Sequence, residues 1–111
     1  MNSFLGFAGG SAYATSKHGQ VGLTTSASAE LASKNIRVNI VCPGVIDTPM
    51  HRRIRSVVGD ELFENFLTSV HQKRAGLPEE IANTIVYLCS PEASYITGTT
   101  ITPDGGYTMT L

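Results

Sequence analysis

Residues 36–44, IRVNIVCPG, decide the fold. The stretch begins with alternating apolar and polar residues and continues as an apolar run, which predicts a buried strand of a parallel sheet. Pro43-Gly44 then ends the strand with a turn. Ligands gather at the carboxyl ends of strands in open α/β sheets, so a binding loop is expected here. Taken alone, Pro-Gly also suits any turn at the end of a strand.

A long helix is predicted before this strand. Residues 11–33 contain no proline and much alanine, and Ser11 is placed to cap the helix. Gly19 and Gly22 would each weaken the helix by about 1 kcal/mol relative to alanine, which favours close packing against a neighbour at these positions. Lys34-Asn35 closes the helix.

The region after the strand divides into a flap, a helix and a second strand. Residues 45–76 have a looser pattern that indicates a mobile helical flap, with an amphipathic stretch over residues 60–70. A firm helix is predicted over residues 78–90, because a proline opens it, two glutamates occupy its first turn and another proline follows it. Residues 99–102 are rich in strand-forming residues, and residues 103–106 form a turn. The order helix, strand, flap, helix, strand predicts an α/β chain with a parallel sheet.

Composition predicts one small globular domain. The chain has 111 residues, of which 41% are hydrophobic and 15% charged, and no linker or repeat divides it. The net charge of −1 gives no electrostatic footprint for nucleic acid or an anionic membrane. The basic run HRRIR at residues 51–55 is interpreted as a solvated helix face. No targeting or membrane segment is expected from the pattern.

The cysteines and histidines suggest neither disulfides nor metals. Cys42 and Cys89 lie in apolar runs without CxxC spacing, which predicts buried, reduced thiols in a cytoplasmic protein. His18, His51 and His71 share no metal-ligand spacing and are interpreted as surface or loop residues.

Tyr13 and Lys17 are the strongest candidates for acid-base chemistry. Residues four apart on a helix share a face, so the Lys17 ammonium can approach the Tyr13 phenol. A nearby cation favours a phenolate and so brings proton transfer by a phenol closer to neutral pH. A Tyr followed four residues later by a Lys is also common on solvated helices, so the pair needs support from its surroundings.

Four motifs supply that support. In order they are YATSKHG (residues 13–19), NIRVNIVCPGVIDTPM (35–50), KRAGLPEEIA (73–82) and YITGTTITPDGG (95–106). In this order they resemble the short-chain dehydrogenase/reductase family over nearly the whole chain. The resemblance implies the C-terminal part of a Rossmann-like, doubly wound parallel sheet. Residues 1–111 would form a single partial domain with the substrate flap at about residues 45–76.

The resemblance also implies roles for individual residues. Tyr13 would transfer the proton of an alcohol or ketone substrate, and Lys17 would activate Tyr13 and bind the ribose of NAD or NADP. Pro43-Gly44 would turn the chain beside the nicotinamide. The Ile46 backbone would meet the carboxamide, and the Thr48 hydroxyl would contact the same part of the cofactor.

A catalytic serine is also implied, and Ser3 is the candidate. Ser3 begins a Ser-x-x-Gly run that is similar to the family's, but ten positions separate it from Tyr13, fewer than is usual. Ser11 is too close to Tyr13 for this role. Pro103 also departs from the family pattern, which has an apolar strand residue there, and it suits a strand end.

One family feature has no counterpart in the sequence: the Gly-rich loop that binds the pyrophosphate. The sequence therefore looks like the C-terminal half of the family's domain, as a fragment or as a truncated gene product, and this half alone is expected to bind the cofactor poorly.

Several interpretations stay open. The chain is expected to belong to an oxidoreductase, or to be a non-catalytic remnant that serves as an oligomerisation or partner-binding module. Epimerase chemistry with the same Tyr-Lys pair is disfavoured by the Asp-Gly-Gly ending. Phe63 and Phe66 would either wall a substrate pocket or pack the amphipathic flap. Small residues on the long helix, such as Ala27 and Ala29, would allow a homodimer or homotetramer in the complete protein, and an intramolecular sheet contact is the competing explanation.

Overall fold

The computed structural model describes residues 9–110 as an α/β arrangement. The helices are α1 (Ser11–Leu31), α2 (Pro49–Val58), α3 (Asp60–Leu67) and α4 (Pro78–Cys89), and the strands are β1 (Ile40–Val41) and β2 (Thr100–Ile101). Short 3₁₀ turns occupy Ala32–Lys34, Pro91–Ala93 and Tyr107–Thr110. The predicted order of helix, strand, flap, helix and strand is present.

The two strands pair in parallel, with Ile40 opposite Thr100 and Val41 opposite Ile101. Their hydrogen bonds continue past both strands toward the predicted turns. The N–H groups of Ile40, Cys42 and Gly44 donate to the carbonyls of Thr99, Ile101 and Pro103, at 3.0, 2.8 and 3.1 Å. Pro43-Gly44 and the turn at residues 103–106 therefore lie together at the carboxyl ends of the two parallel strands.

The strand predicted over residues 36–42 is shorter in the structure because side chains replace part of its ladder. The Val38 N–H donates to the Thr97 hydroxyl at 3.1 Å rather than to a backbone carbonyl. The Val38 carbonyl does accept a backbone hydrogen bond, from the Gly98 N–H at 2.8 Å. Asn39 accepts the Thr99 N–H at 3.2 Å and donates to the Ile96 carbonyl at 2.9 Å. Regular pairing consequently starts at residue 40.

Arg37 ties the same segment to the end of α4. Its guanidinium donates to the carbonyls of Leu88 at 2.7 Å and of Ser90 and Ile96 at 3.3 Å. A cation at this position satisfies the last carbonyls of the helix and complements its dipole. The side chain thus joins β1, α4 and the chain that leads into β2.

Helix α1 agrees with the prediction in extent but not in its cap or packing. Gly10 is the N-cap and makes no side-chain bond, and Ser11 is the first helical residue, so the predicted Ser11 cap is wrong. A Cβ added at Gly19 or Gly22 would meet no heavy atom within 4 Å among the described residues, so the close packing expected there is not found in this part of the chain. Close approach occurs instead at Ser28, which lies against Gly98.

Within residues 9–110, no helix has the length and apolar character that crossing a membrane requires.

The prediction that both thiols are buried is correct for Cys42 and wrong for Cys89. Cys42 is buried, whereas Cys89 is exposed, and both are free. Successive residues of a helix point about 100° apart. Because Leu88 is the residue that α4 buries, the next residue faces away from the core.

The flap contains two helices where the sequence predicted one amphipathic stretch. Helix α2 begins at Pro49 after the N-cap Thr48, and α3 follows it directly through Gly59, whose φ of 89° lies in a region that favours glycine. Arg55 closes this corner by pairing with Asp60 at 2.6 Å and Glu64 at 3.0 Å. The mobility of the flap stays a prediction.

Helix α4 begins at Pro78 as predicted, and Glu80 anchors its first turn. The carboxylate accepts two hydrogen bonds from Arg74, at 2.7 and 2.8 Å, and one from the Leu77 N–H at 2.7 Å. These hydrogen bonds lower the pKa of Glu80 from 4.5 to about 2, and those from Arg74 contribute more to the shift than the one from the Leu77 N–H. The ionised form is therefore favoured in the folded chain.

Because folding lowers this pKa, the ionised Glu80 stabilises the fold above its unfolded pKa, and the effect disappears as the pH falls through the folded value. We expect Glu80→Gln to lower the urea midpoint at about pH 6, and the difference from wild type to shrink toward zero near pH 2. Glu79→Gln in the same helical turn is the matched control, since Glu79 makes no ion pair among the described residues. A midpoint difference for Glu80→Gln that does not change with pH would contradict this assignment.

Candidate active site

A cleft of about 330 Å³ lies between α1, the end of β1 and the flap. It brings together six of the predicted site residues: Tyr13, Lys17, Pro43, Gly44, Ile46 and Thr48. The remaining lining residues are Gln20, Val41, Cys42, Val45, Met50, His51 and Phe66. The predicted residues come from separate elements, so their meeting is a property of the tertiary structure.

Tyr13 and Lys17 form one wall of the cleft from the first turns of α1. The Lys17 ammonium nitrogen lies 5.5 Å from the centroid of the Tyr13 ring, as the four-residue spacing predicts. Tyr13 is 50% exposed and Lys17 is partly buried. The phenol is therefore open to the cleft while the cation stays beside its ring.

Gly44 also lines the cleft, at the point where the turn after β1 meets the turn after β2. A Cβ at Gly44 would stand 2.7 Å from the Cα and Cβ of Asp104. These are backbone or backbone-proximal atoms that cannot swing aside. Only glycine allows the Pro43-Gly44 turn to lie against the turn that follows β2.

Asp104 holds that second turn. Its buried carboxylate accepts the Gly106 N–H at 2.9 Å, the Thr108 N–H at 2.8 Å and the Thr108 hydroxyl at 2.7 Å. Burial raises the pKa of Asp104, but these hydrogen bonds together outweigh burial and leave the pKa below its ordinary value. The predicted Asp-Gly-Gly turn is thus a rigid support behind Gly44.

The segment after Gly44 is held from both sides. Gly76 bridges it, donating to the Val45 carbonyl and accepting the Asp47 N–H, both at 2.8 Å. On the flap side, the Nδ1–H of His51 donates to the Ile46 carbonyl at 2.6 Å, and the Thr48 hydroxyl accepts the His51 N–H at 3.4 Å. The Ile46 N–H donates to no acceptor among residues 9–110.

His51 is the main site residue that the sequence analysis missed. It was expected on the surface or in a loop, but it is half-buried in the cleft wall on α2, whereas Arg52 and Arg53 in the same basic run are exposed, as predicted. The signal was available in the helical spacing, since His51 and Ile54 are three residues apart and so share a face. Among the described residues, no group of three or more His, Cys, Asp and Glu side chains is placed to hold a metal ion.

Ser3, the candidate catalytic serine, lies outside the described residues. Its role stays a prediction.

Comparison with known proteins identifies the family. A family model described as Enoyl-(Acyl carrier protein) reductase matches residues 1–108. The chain belongs to the short-chain dehydrogenase/reductase family. Among curated relatives, Short-chain dehydrogenase RED2 of Pyricularia oryzae is 49% identical over 98 residues, which are 88% of this chain and 35% of that protein. The 3-oxoacyl-[acyl-carrier-protein] reductase FabG of Aquifex aeolicus is 40% identical over 109 residues, 96% of this chain and 42% of that protein.

Solved structures of the short-chain dehydrogenase/reductase family share the fold. A putative 2-deoxy-D-gluconate 3-dehydrogenase from Agrobacterium tumefaciens, with bound NADP, matches with a TM-score of 0.91 and 33% identity, over 97% of this chain and 43% of that one. A 4-hydroxyisoleucine dehydrogenase in complex with NADH matches with a TM-score of 0.89 and 33% identity, over 97% and 44%. The chain is therefore part of a Rossmann-like parallel sheet, and it spans about two fifths of the length of the relatives it matches.

Substitution of Gly44 tests the support of the cleft. We expect Gly44→Ala to destabilise the fold by about 1–3 kcal/mol, because the new Cβ would overlap Asp104 and separate the two strand ends. Urea denaturation measures the loss. Gly22→Ala is the control: it meets no described atom within 4 Å and is expected to stabilise α1 by up to about 1 kcal/mol. Equal stability of Gly44→Ala and wild type would show that the close approach is not required.

Proposed function

We propose that the protein containing this chain is an NAD- or NADP-dependent oxidoreductase that interconverts an alcohol and a ketone. One observation carries the proposal: the Tyr13-Lys17 pair shares a cleft with residues 43–46 and Thr48 of the segment that follows β1. Proton transfer and cofactor contact would thus occur in one place. Membership of the family supports the same reaction class.

The cleft suits the nicotinamide-ribose half of such a cofactor. Lys17 would bind the ribose hydroxyls, the Ile46 N–H, which has no acceptor within residues 9–110, would bind the carboxamide, and the Thr48 hydroxyl would contact the same region. Pro43 and Gly44 would lie beside the ring. When bound, the nicotinamide supplies or takes up the hydride of the reaction. Complexes of relatives with NADH and with NADP support either cofactor.

Tyr13 would move the proton. In oxidation its phenolate takes the proton of the substrate hydroxyl, and in reduction its phenol returns that proton to the carbonyl oxygen. Lys17 would stabilise the phenolate, because its ammonium is held beside the ring, 5.5 Å from the centroid. Ser3 would polarise the substrate oxygen.

We further propose a cytoplasmic protein that forms a homodimer or homotetramer when complete. The two free thiols support a reducing compartment, since Cys89 is exposed and unpaired with Cys42. Exposed small residues on α1 suit close contact between copies. Small-molecule alcohols or ketones would be its substrates.

Tyr13→Phe tests the catalytic role. In the enzyme that contains this chain, we expect kcat to fall by about 10²–10⁴-fold while the Kd for NAD or NADP stays within about twofold, because only the proton-transferring hydroxyl is lost. Turnover is followed by nicotinamide absorbance with a panel of alcohols and ketones. Tyr95→Phe is the matched control, since Tyr95 is fully exposed and outside the cleft.

Two results would contradict the proposal. Full turnover of Tyr13→Phe would remove Tyr13 from the reaction. Absence of turnover by the wild-type protein with every substrate of the panel would favour the second hypothesis, a non-catalytic oligomerisation or partner-binding module.

A further inference from the structure

His51 joins the two residues that carry the proposed contacts with the carboxamide. It lies half-buried in the cleft wall, in the first turn of α2. Its ring nitrogen Nδ1 lies 2.6 Å from the Ile46 carbonyl oxygen, and its backbone N–H donates to the Thr48 hydroxyl at 3.4 Å. One residue therefore contacts both Ile46 and Thr48.

The contact with Ile46 fixes the His51 ring. A carbonyl oxygen can only accept a hydrogen bond, so Nδ1 must carry a hydrogen, and in the neutral ring Nε2 then carries none. The ring also packs edge-on against Phe63 of α3, with the centroids 6.3 Å apart and an angle of 70° between the planes. The donor is thus fixed in its tautomer and in its direction.

Gly76 holds the Ile46 end of this site without help from His51. The Gly76 N–H donates to the Val45 carbonyl at 2.8 Å. Because the C=O and N–H of a trans peptide point in opposite directions in one plane, this bond directs the Ile46 N–H away from Gly76. The Gly76 carbonyl accepts the Asp47 N–H, also at 2.8 Å. The direction of the Ile46 N–H is therefore set by the Gly76 bridge.

The Thr48 end has a different support. Thr48 is the N-cap of α2, so its hydroxyl moves with the first turns of that helix. Two side chains tie these turns back to the preceding segment. Arg52 pairs with Asp47 at 2.9 Å, but both side chains are exposed, and such pairs contribute little. The half-buried bond from His51 to the Ile46 carbonyl is consequently the main link between the Thr48 hydroxyl and the Ile46 peptide.

We propose that His51 is a positioning residue for the nicotinamide cofactor: its bond to the Ile46 carbonyl sets the spacing between the Ile46 N–H and the Thr48 hydroxyl, which together hold the carboxamide. The inference rests on the proposed function, which supplies the cofactor. A carboxamide has an oxygen that accepts and a nitrogen that donates. The Ile46 N–H donates to the oxygen, and the Thr48 hydroxyl accepts from the nitrogen. Both bonds form at once only when the spacing of the two groups is fixed.

Two variants of similar shape test this role in the complete protein. His51→Asn keeps an N–H donor near the place of Nδ1, and His51→Leu removes it. The Kd is measured for the reduced cofactor and for the matching adenosine diphosphoribose, which lacks the nicotinamide. His51→Leu should weaken cofactor binding about threefold to tenfold, the contribution of one hydrogen bond, and change adenosine diphosphoribose binding less than about twofold. His51→Asn should restore most of the loss.

Three results would each overturn the proposal. The first is unchanged cofactor affinity in His51→Leu. The second is equal weakening of the cofactor and of adenosine diphosphoribose, which would assign His51 to the stability of the fold alone. The third is failure of His51→Asn to restore binding. Arg53→Leu is the matched control, since Arg53 is exposed on α2 and outside the cleft lining, and both affinities should stay at the wild-type values.

The tautomer of His51 gives a test that needs no cofactor. NMR of the complete protein with isotopically labelled histidine should show the neutral His51 ring with its hydrogen on Nδ1. A hydrogen on Nε2 would overturn the proposal, because the bond to the Ile46 carbonyl could not form. The oxidoreductase proposal fails separately, on turnover and on Tyr13→Phe, so the two failures are distinguishable.

Discussion

The rest of the structure depends on one constraint, the parallel pairing of β1 with β2. This pairing continues past the strands to the contact of Gly44 with Asp104. It places the turn after β1 against the turn after β2, and a Cβ at Gly44 would lie 2.7 Å from Asp104. The carboxylate of Asp104 is in turn fixed by three hydrogen bonds. The position of the cleft depends on this contact, because the lining residues Val45, Ile46 and Thr48 follow Gly44 directly in the chain.

Polar side chains extend the short sheet beyond its regular ladder. Asn39 supplies both a donor and an acceptor where β1 has no regular pairing, and Arg37 satisfies carbonyls at the end of α4. Buried or half-buried backbone groups require such partners. These two residues of the IRVNIVCPG stretch therefore connect β1 to α4 and β2, a role that the alternation of apolar and polar residues did not reveal.

The flap combines a fixed corner with open apolar surface. Gly59 and Arg55 set the two helices, His51 links α2 to the Ile46 carbonyl, and Phe66 packs against Tyr107 with ring centroids 5.6 Å apart. The proton-transfer residues lie on α1, a separate and regular helix. The proposed chemistry thus depends on a regular helix and a strand end, and the flap, whose sequence pattern is looser, completes the cleft through His51 and Phe66.

The sequence alone determined the order of the elements, the face shared by Tyr13 and Lys17 and the family resemblance, because periodicity and short motifs are local properties. It also identified six residues that line one cleft. Tertiary structure decided that they meet, that His51 joins them, that Cys89 is exposed and that Gly10 rather than Ser11 caps α1. It also decided that Gly19 and Gly22 lie open and Gly44 does not. The meeting of the cleft residues and the close approach at Gly44 depend on contacts between residues far apart in the chain, which no local pattern specifies, whereas the helix cap and the exposure of Cys89 depend on where each helix begins and which face it buries.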